Sequence, residues 1–298
     1  MKNTSAFKVS GILCPVDFSE LSNLALKYAA AGAKAYNAKL IVLHAERFEM
    51  PAYFTAAQVD ELARQLADAR SGARNFLEQR THAILGPLAD KIPITFQVVD
   101  THPVDAVLTV ATKHGTDLIV LGTHGREGAK RLWLGSVTEN VVRHAEVPVF
   151  VVRQKQYEFI DASAAPELKT ILCPVNFTSV ARTALQVASS IAEQFHARLI
   201  PICVVEPGDS RSLSDAEAEL RSWLDESLTA PCVFDPVSRQ GHAAEQIVAL
   251  ARKLKADLVV LGAQRRGSAM DSLFGSTTEQ VLRQAPVPVL VVPNPAKD

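Results

Sequence analysis

The chain is written twice. Residues 11–41 align without gaps on 170–200, and 117–152 align on 257–292 with about half of the positions identical. The offset falls from 159 to 140 residues between the two blocks, so the second copy lacks about 19 residues in the region matching 50–90. A period of about 150 residues is domain-sized and far above solenoid periods. Whatever this chain folds into, each half must build it alone. The expected domains are 1–153 and 169–298, joined by a linker at 154–168 (QKQYEFIDASAAPEL) where periodicity stops and small and polar residues take over.

Within each copy, strand-like and helix-like patterns alternate. In the first half, short apolar runs rich in Ile, Val and Leu stand at 11–16, 39–44, 94–99, 117–121 and 147–152. Unbroken runs of this kind suit parallel strands covered on both faces. Between them, Ser19 is placed to cap a helix whose apolar face is Leu21, Leu24, Ala25, Tyr28, Ala29 and Gly32. A longer amphipathic stretch carries Val59, Leu62, Leu66, Ala69, Ala73, Phe76 and Leu77. A third helix follows Pro103, with Val104, Val107, Leu108 and Ala111 on one face, and a fourth begins at Ser136. The second half repeats the plan, with strands expected at 170–175, 199–205, 232–237, 257–261 and 287–292. Pro201, inside one of these runs, removes a ladder donor and predicts a bulge or strand end. The fold class is therefore α/β: two tandem doubly wound domains, each a five-stranded parallel sheet flanked by helices.

Composition narrows the partners. A net charge of −1 and a pI near 6.7, without a lysine or arginine run, argue against nucleic acid. No apolar stretch approaches the length of a membrane span, and the N-terminus MKNTSAFKVSG lacks an apolar signal region, so a cytoplasmic protein is expected. Cys14, Cys173 and Cys203 fall in predicted strands and Cys232 in a less certain segment; with no C-x-x-C spacing they read as reduced, packed thiols.

The chemistry concentrates in a glycine pattern. The first copy reads Gly122-Thr-His-Gly125, nine residues, then Gly135-Ser136-Val137-Thr138. It lies between a strand and a helix, where α/β proteins bind phosphate, at the carboxyl edge of the sheet. Asp17 and residues 44–46 follow the first and second strands and converge on the same edge. Gly122 and Gly125 leave the backbone free to turn and approach a ligand. Ser136 with Glu139, and Ser276 with Glu279, match the S-x-x-E capping box, and a capped helix start still presents a positive dipole end to an anion.

Following DLIVLG, ending in GSVTENVV and closing with VPVFVV, the first copy resembles the universal stress protein family in its tandem-domain form, and ILCPVDFS with its helix extends the match over nearly the whole chain. ATP-binding members of that family carry G-x-x-G, nine residues, then G-S/T. The resemblance implies a five-stranded α/β domain that binds ATP or another adenine nucleotide, with magnesium. It implies that Asp17 holds the nucleoside, that the backbone of Ala45 faces adenine, and that Gly122, Gly125, Gly135, Ser136 and Val137 form the ribose and phosphate loop. His124, between the glycines, either reaches a phosphate or faces solvent. Arg126, Lys130 and Arg131 add positive charge nearby. The resemblance also implies that VPVFVV and VPVLVV, otherwise exposed edge strands, pair between the halves; dimerisation of whole chains is left open.

The second copy departs at two points. Asn176 replaces Asp17 and Arg265 replaces Gly125, which predicts a degenerate second site, unless Arg265 and Arg266 clamp a phosphate themselves. No G-x-x-x-x-G-K-[ST] is present. The pattern favours binding over turnover and no catalytic residue stands out. A nucleotide-dependent sensor is the first reading; a nucleotide-independent scaffold and a weak ATPase are the alternatives.

Overall fold

In the computed structural model, residues 7–45, 72–123, 134–153, 167–227, 235–263 and 275–294 are described. Their ten strands form one continuous sheet. The first half contributes β1 (Gly11–Pro15), β2 (Lys39–Ala45), β3 (Ile94–Val99), β4 (Leu118–Gly122) and β5 (Val149–Val152). The second contributes β6 (Thr170–Val175), β7 (Arg198–Val205), β8 (Val237–Gln240), β9 (Leu258–Ala263) and β10 (Val289–Pro293). The order is β3-β2-β1-β4-β5-β10-β9-β6-β7-β8, parallel within each half, with β5 and β10 antiparallel at the centre. The expected pairing of the two last strands is thus present, and it turns both from edges into the middle of the sheet.

Helices cover both faces. α1 (Glu20–Tyr36) and α5 (Ser179–Phe195) start from equivalent caps. Ser19 accepts from the N–H of Ser22, and Thr178 from that of Ala181. They end on equivalent left-handed residues, Asn37 and His196. A helix at 72–85, here α2, and α6 (Leu213–Ser227) lie on the same face as α1 and α5. The opposite face carries α3 (Pro103–His114), α4 (Ser136–His144), α7 (Ala243–Leu254) and α8 (Ser276–Gln284). Each apolar layer runs without a break across both halves. Val149, Val151, Val289 and Val291 sit at the seam with at most 2% exposure, as strands with two covered faces require.

Further contacts among the described residues tie the halves, three hydrogen bonds among them. The Phe7 N–H donates to Ser190 Oγ (3.0 Å), and Gln194 Nε2 donates to the Ala35 carbonyl (3.2 Å). The third is a buried cation: Arg153, directly after β5, donates through Nη1 to the Leu282 carbonyl in the last turn of α8. Burial lowers its guanidinium pKa to about 10, so it stays charged at neutral pH.

Some expectations need correcting. Pro201 neither ends nor bulges its strand: β7 passes through it in register with β6. The Arg198 N–H faces β6, and the Leu199 carbonyl accepts from Asp235 on the other side. Alternation turns the Pro201 nitrogen toward β8 as well, where the ladder begins only at Ile202. The third strand of the second half was expected at 232–237 and is instead Val237–Gln240. Its sequence, VSRQ, is polar, which an edge strand tolerates, and the apolar CVF before it was the misleading signal. Phe76, placed on a buried face, is 52% exposed, whereas Leu77 is 1% exposed. Cys14, Cys173 and Cys203 are buried and unbridged, and burial raises the thiol pKa of each, that of Cys173 to about 12. Cys232 and residues 154–166 of the expected linker lie outside the described residues.

Candidate functional site

The carboxyl ends of β1, β2 and β4 meet the amino ends of α1 and α4. β1 ends at Pro15, and the Val16 N–H still reaches the Leu43 carbonyl (2.8 Å). The chain then turns sharply. The N–H of Asp17 donates to Ser22 Oγ (3.1 Å), and Asp17 Oδ1 accepts from the Ser19 N–H (3.0 Å). Asp17 is therefore half-buried and oriented by the start of α1 rather than free to rotate. Phe18 takes a left-handed backbone, φ 64°, a conformation that costs a bulky residue about 1–2 kcal/mol. Its ring packs on His44 (5.6 Å between centroids) and edge-on to Phe76 (5.3 Å). His44 Nδ1 lies 2.8 Å from the Val16 carbonyl; with a carbonyl as acceptor, Nδ1 carries the proton. Ala45 is the last residue of β2, half-buried beside this cluster.

Gly122 ends β4. A Cβ there would stand 2.9 Å from the Leu21 carbonyl carbon and 3.0 Å from its oxygen, so the glycine is required by the close approach of α1. Thr123 is buried and ties both ends of the loop. Its N–H donates to the Val152 carbonyl (2.9 Å), and its carbonyl accepts from the Gly135 N–H (2.7 Å). Gly135 is the cap residue of α4, and no side chain caps it. Ser136 is the first helical residue, one position too late to serve as the cap. The expected capping box is absent in both halves, because each helix starts after its glycine and Glu139 and Glu279 pair with Arg143 and Arg283 instead. What docks α4 is Thr138, whose hydroxyl donates to the Gly122 carbonyl (2.6 Å). The first-turn N–H groups of Ser136 and Val137 thus open onto the sheet edge, where a helix start favours an anion.

Of the expected site residues, Asp17, Ala45, Gly122, Gly135, Ser136 and Val137 stand at this edge. His124 and Gly125 lie outside the described residues, as do Arg126, Lys130, Arg131, Arg265 and Arg266. The sequence pattern placed His44 at this edge only as one of residues 44–46, and gave Phe18 and Thr138 no role. Phe18 and Thr138 recur as Phe177 and Thr278, so the repeat itself carried their signal. Among the described residues no group of three His, Cys, Asp or Glu is placed to hold a metal.

The second half keeps the frame. Asn176 Oδ1 accepts from the Thr178 hydroxyl (2.7 Å), Phe177 is again left-handed (φ 60°), and a Cβ on Gly262 would meet the Val180 carbonyl oxygen at 2.8 Å.

Fold and site together define a tandem α/β protein whose halves each carry a glycine at the carboxyl end of the fourth strand and a helix that starts after another glycine at the same edge. The family model for the universal stress protein family matches residues 9–153 and 167–293, and the chain belongs to that family. It is 30% identical over 306 aligned positions to a universal stress protein of Mycobacterium tuberculosis, covering 95% of this chain and 97% of the relative. A universal stress protein from Archaeoglobus fulgidus superposes over 98% of this chain and 99% of its own (TM-score 0.69, 23% identity), a likeness of fold. A universal stress protein solved in complex with cAMP aligns with 49% of this chain at 26% identity and a TM-score of 0.35, which says nothing of this chain's ligand. Among the described residues no helix is long and apolar enough to cross a membrane.

Proposed function

We propose that the first half binds an adenine nucleotide, ATP, and that the chain acts in the cytoplasm as a nucleotide-dependent sensor rather than a catalyst. The observation that carries this is the start of α4, a nine-residue helix docked by Thr138 on Gly122 with no side-chain cap, on the edge where the oriented Asp17 stands. The phosphates would lie on the Ser136 and Val137 N–H groups, with Gly125 keeping the turn clear and Asp17 accepting from the ribose hydroxyls. Phe18, His44 and Ala45 form the apolar and aromatic wall for the base. Hydrolysis needs a positioned nucleophile and charge neutralisation at the transferred phosphate. Asp17, held by its own turn, serves orientation better than proton transfer.

The test is calorimetric titration of nucleotide-stripped protein with Mg-ATP. One site per chain is expected, lost on Gly125→Arg, the change already present in the second copy. Two sites per chain would show that Asn176 and Arg265 are tolerated. No heat from a folded protein would turn the reading to a nucleotide-independent scaffold. Steady turnover abolished by Asp17→Ala would make it an ATPase.

A further inference from the structure

The apolar layer under α1 and α5 is not completely filled. A cavity of about 70 Å³ remains between these two helices, over the seam of the sheet. One water needs about 10–15 Å³, so the space is several waters large, yet a lining this apolar holds water poorly. Phe150 and Leu290, directly opposed across the antiparallel pair, lie on its sheet side. α1 contributes Gly32 and Tyr36, and α5 contributes the aligned residues Ile191 and Phe195. The Tyr36 ring meets that of Phe195 edge-on, 5.9 Å between centroids. Folded proteins keep few voids of this size, because atoms lining a void lose contacts they would otherwise make.

The repeat shows which features of the cavity packing alone does not require. Gly32 gives the layer no side chain where its twin is Ile191. Tyr36 carries a hydroxyl where its twin, Phe195, has none, so the position does not need an oxygen to pack. That hydroxyl is enclosed and has no hydrogen-bond partner among the described residues. Burial raises its pKa, so it remains an O–H donor at neutral pH. An enclosed donor without an acceptor is costly, and so is the void beside it. An uncharged molecule with an apolar body and one oxygen answers both: the body fills the space and the oxygen accepts from Tyr36. A charged molecule would lose its hydration against apolar walls and gain no counter-charge.

We infer that the cavity between the halves binds a small uncharged aromatic molecule carrying one oxygen, of about phenol size. Both halves line it, so a ligand there touches the two domains at once. The site lies in the helix layer over the seam and does not depend on the nucleotide reading of the first half.

The probes are phenol and benzene, titrated into the full chain labelled at its Ile, Leu and Val methyl groups and followed by NMR. Saturable shifts are expected at Ile191 and Leu290, with none at Val142 or Leu282 in the opposite layer. Phenol should bind about 5-fold more tightly than benzene. Leu290→Phe copies the twin Phe150 and puts a second ring into the space; it should abolish both, with circular dichroism showing the fold intact. Tyr36→Phe copies Phe195 and removes only the oxygen; it should bring phenol down to the affinity of benzene and leave benzene unchanged. Folded wild type that gives no saturable shift overturns the inference. So do shifts that survive Leu290→Phe, or a preference for phenol that survives Tyr36→Phe. Leu168, which follows the linker, also lines the cavity. Binding that appears only in Phe159→Ser would make the chain's own linker the occupant, and would overturn the inference too.

Discussion

The two halves share a frame and differ in what stands on it. Each places an aromatic residue in the left-handed region after its first strand, Phe18 and Phe177. In the first half that ring packs on His44 and Phe76 and follows a carboxylate. In the second it is packed edge-on by Trp223, covered by Arg211, and follows an amide. The glycine near the end of the fourth strand of each half, Gly122 or Gly262, and the helix that starts after Gly135 or Gly275, are the same in both. A duplicated chain therefore sorts its own residues. Those kept twice serve packing, which both copies need. Asp17 and Gly125, which stand against Asn176 and Arg265, are the kept-once positions to which the proposed nucleotide reading gives a ligand.

If that sorting is right, the glycines kept twice should be equally costly to change. Gly122→Ala meets the backbone of Leu21, and Gly262→Ala meets Val180 Cγ1 at 2.6 Å and its carbonyl oxygen at 2.8 Å. Each is expected to lower stability by about 2–3 kcal/mol in urea denaturation, since backbone cannot swing aside as a side-chain tip can. A large loss at Gly122 beside a small one at Gly262 would break the equivalence.

Arg153 sharpens the comparison from the other direction, because it has no twin: the aligned residue is Pro293. Its buried guanidinium holds the Leu282 carbonyl across the seam, so Arg153→Ala removes a cation from the carbonyl end of α8. A loss of about 2 kcal/mol is expected, with faster amide exchange in the last turn of α8 and none in α4. The pH dependence has a definite sign. The folded pKa, about 10, lies below the ordinary arginine value, so burying the charge opposes folding at neutral pH. That opposition is relieved as pH rises through 10. A flat difference between wild type and Arg153→Ala from pH 8 to 10.5 would contradict the burial.

How legible was this from sequence? Strand and helix order were, because Ile-Val-Leu runs and 3-4 spacing report burial on both faces or on one. The seam was legible only through family likeness: nothing in VPVFVV says which strand it meets. β8 was not, since its four residues, VSRQ, contain no apolar run to announce it. Phe76 misled because helical spacing marks a face without saying what covers it. In the site, Asp17 and the glycines were readable as residue types at the right spacing. The start of α4 was not: S-x-x-E fits two registers one residue apart, and only backbone geometry distinguishes them. Asp117 was passed over as the first letter of DLIVLG. Its Oδ2 accepts from Ser10 N–H and Oγ–H and from Gly11 N–H, and Asp257 does the same for Lys169 and Thr170 N–H. These carboxylates pin the opposite end of the sheet, away from any ligand. Asp117→Ala and Asp257→Ala should each cost about 1–2 kcal/mol of stability while leaving nucleotide affinity unmoved.

The smallest effect separates the two kinds of serine. Ser19 accepts from the Ser22 N–H at 3.3 Å and caps α1, so Ser19→Ala should cost about 1 kcal/mol in urea denaturation. Ser136 and Ser276 have the cap's sequence signature but stand one residue inside their helices, so Ser136→Ala and Ser276→Ala should each change stability by less than about 0.5 kcal/mol. A loss at Ser136 equal to that at Ser19 would restore the capping box. The two late serines should then part company in binding. Ser136 opens α4 at the proposed nucleotide site, where its hydroxyl adds one hydrogen bond to a phosphate; removing it should weaken ATP about 5–10-fold. Ser276 opens the aligned helix in the half where Arg265 replaces the glycine, and Ser276→Ala should leave ATP binding unchanged. Equal losses of affinity at both serines would mean that both helix starts hold phosphate, and that Arg265 and Asn176 preserved a second nucleotide site.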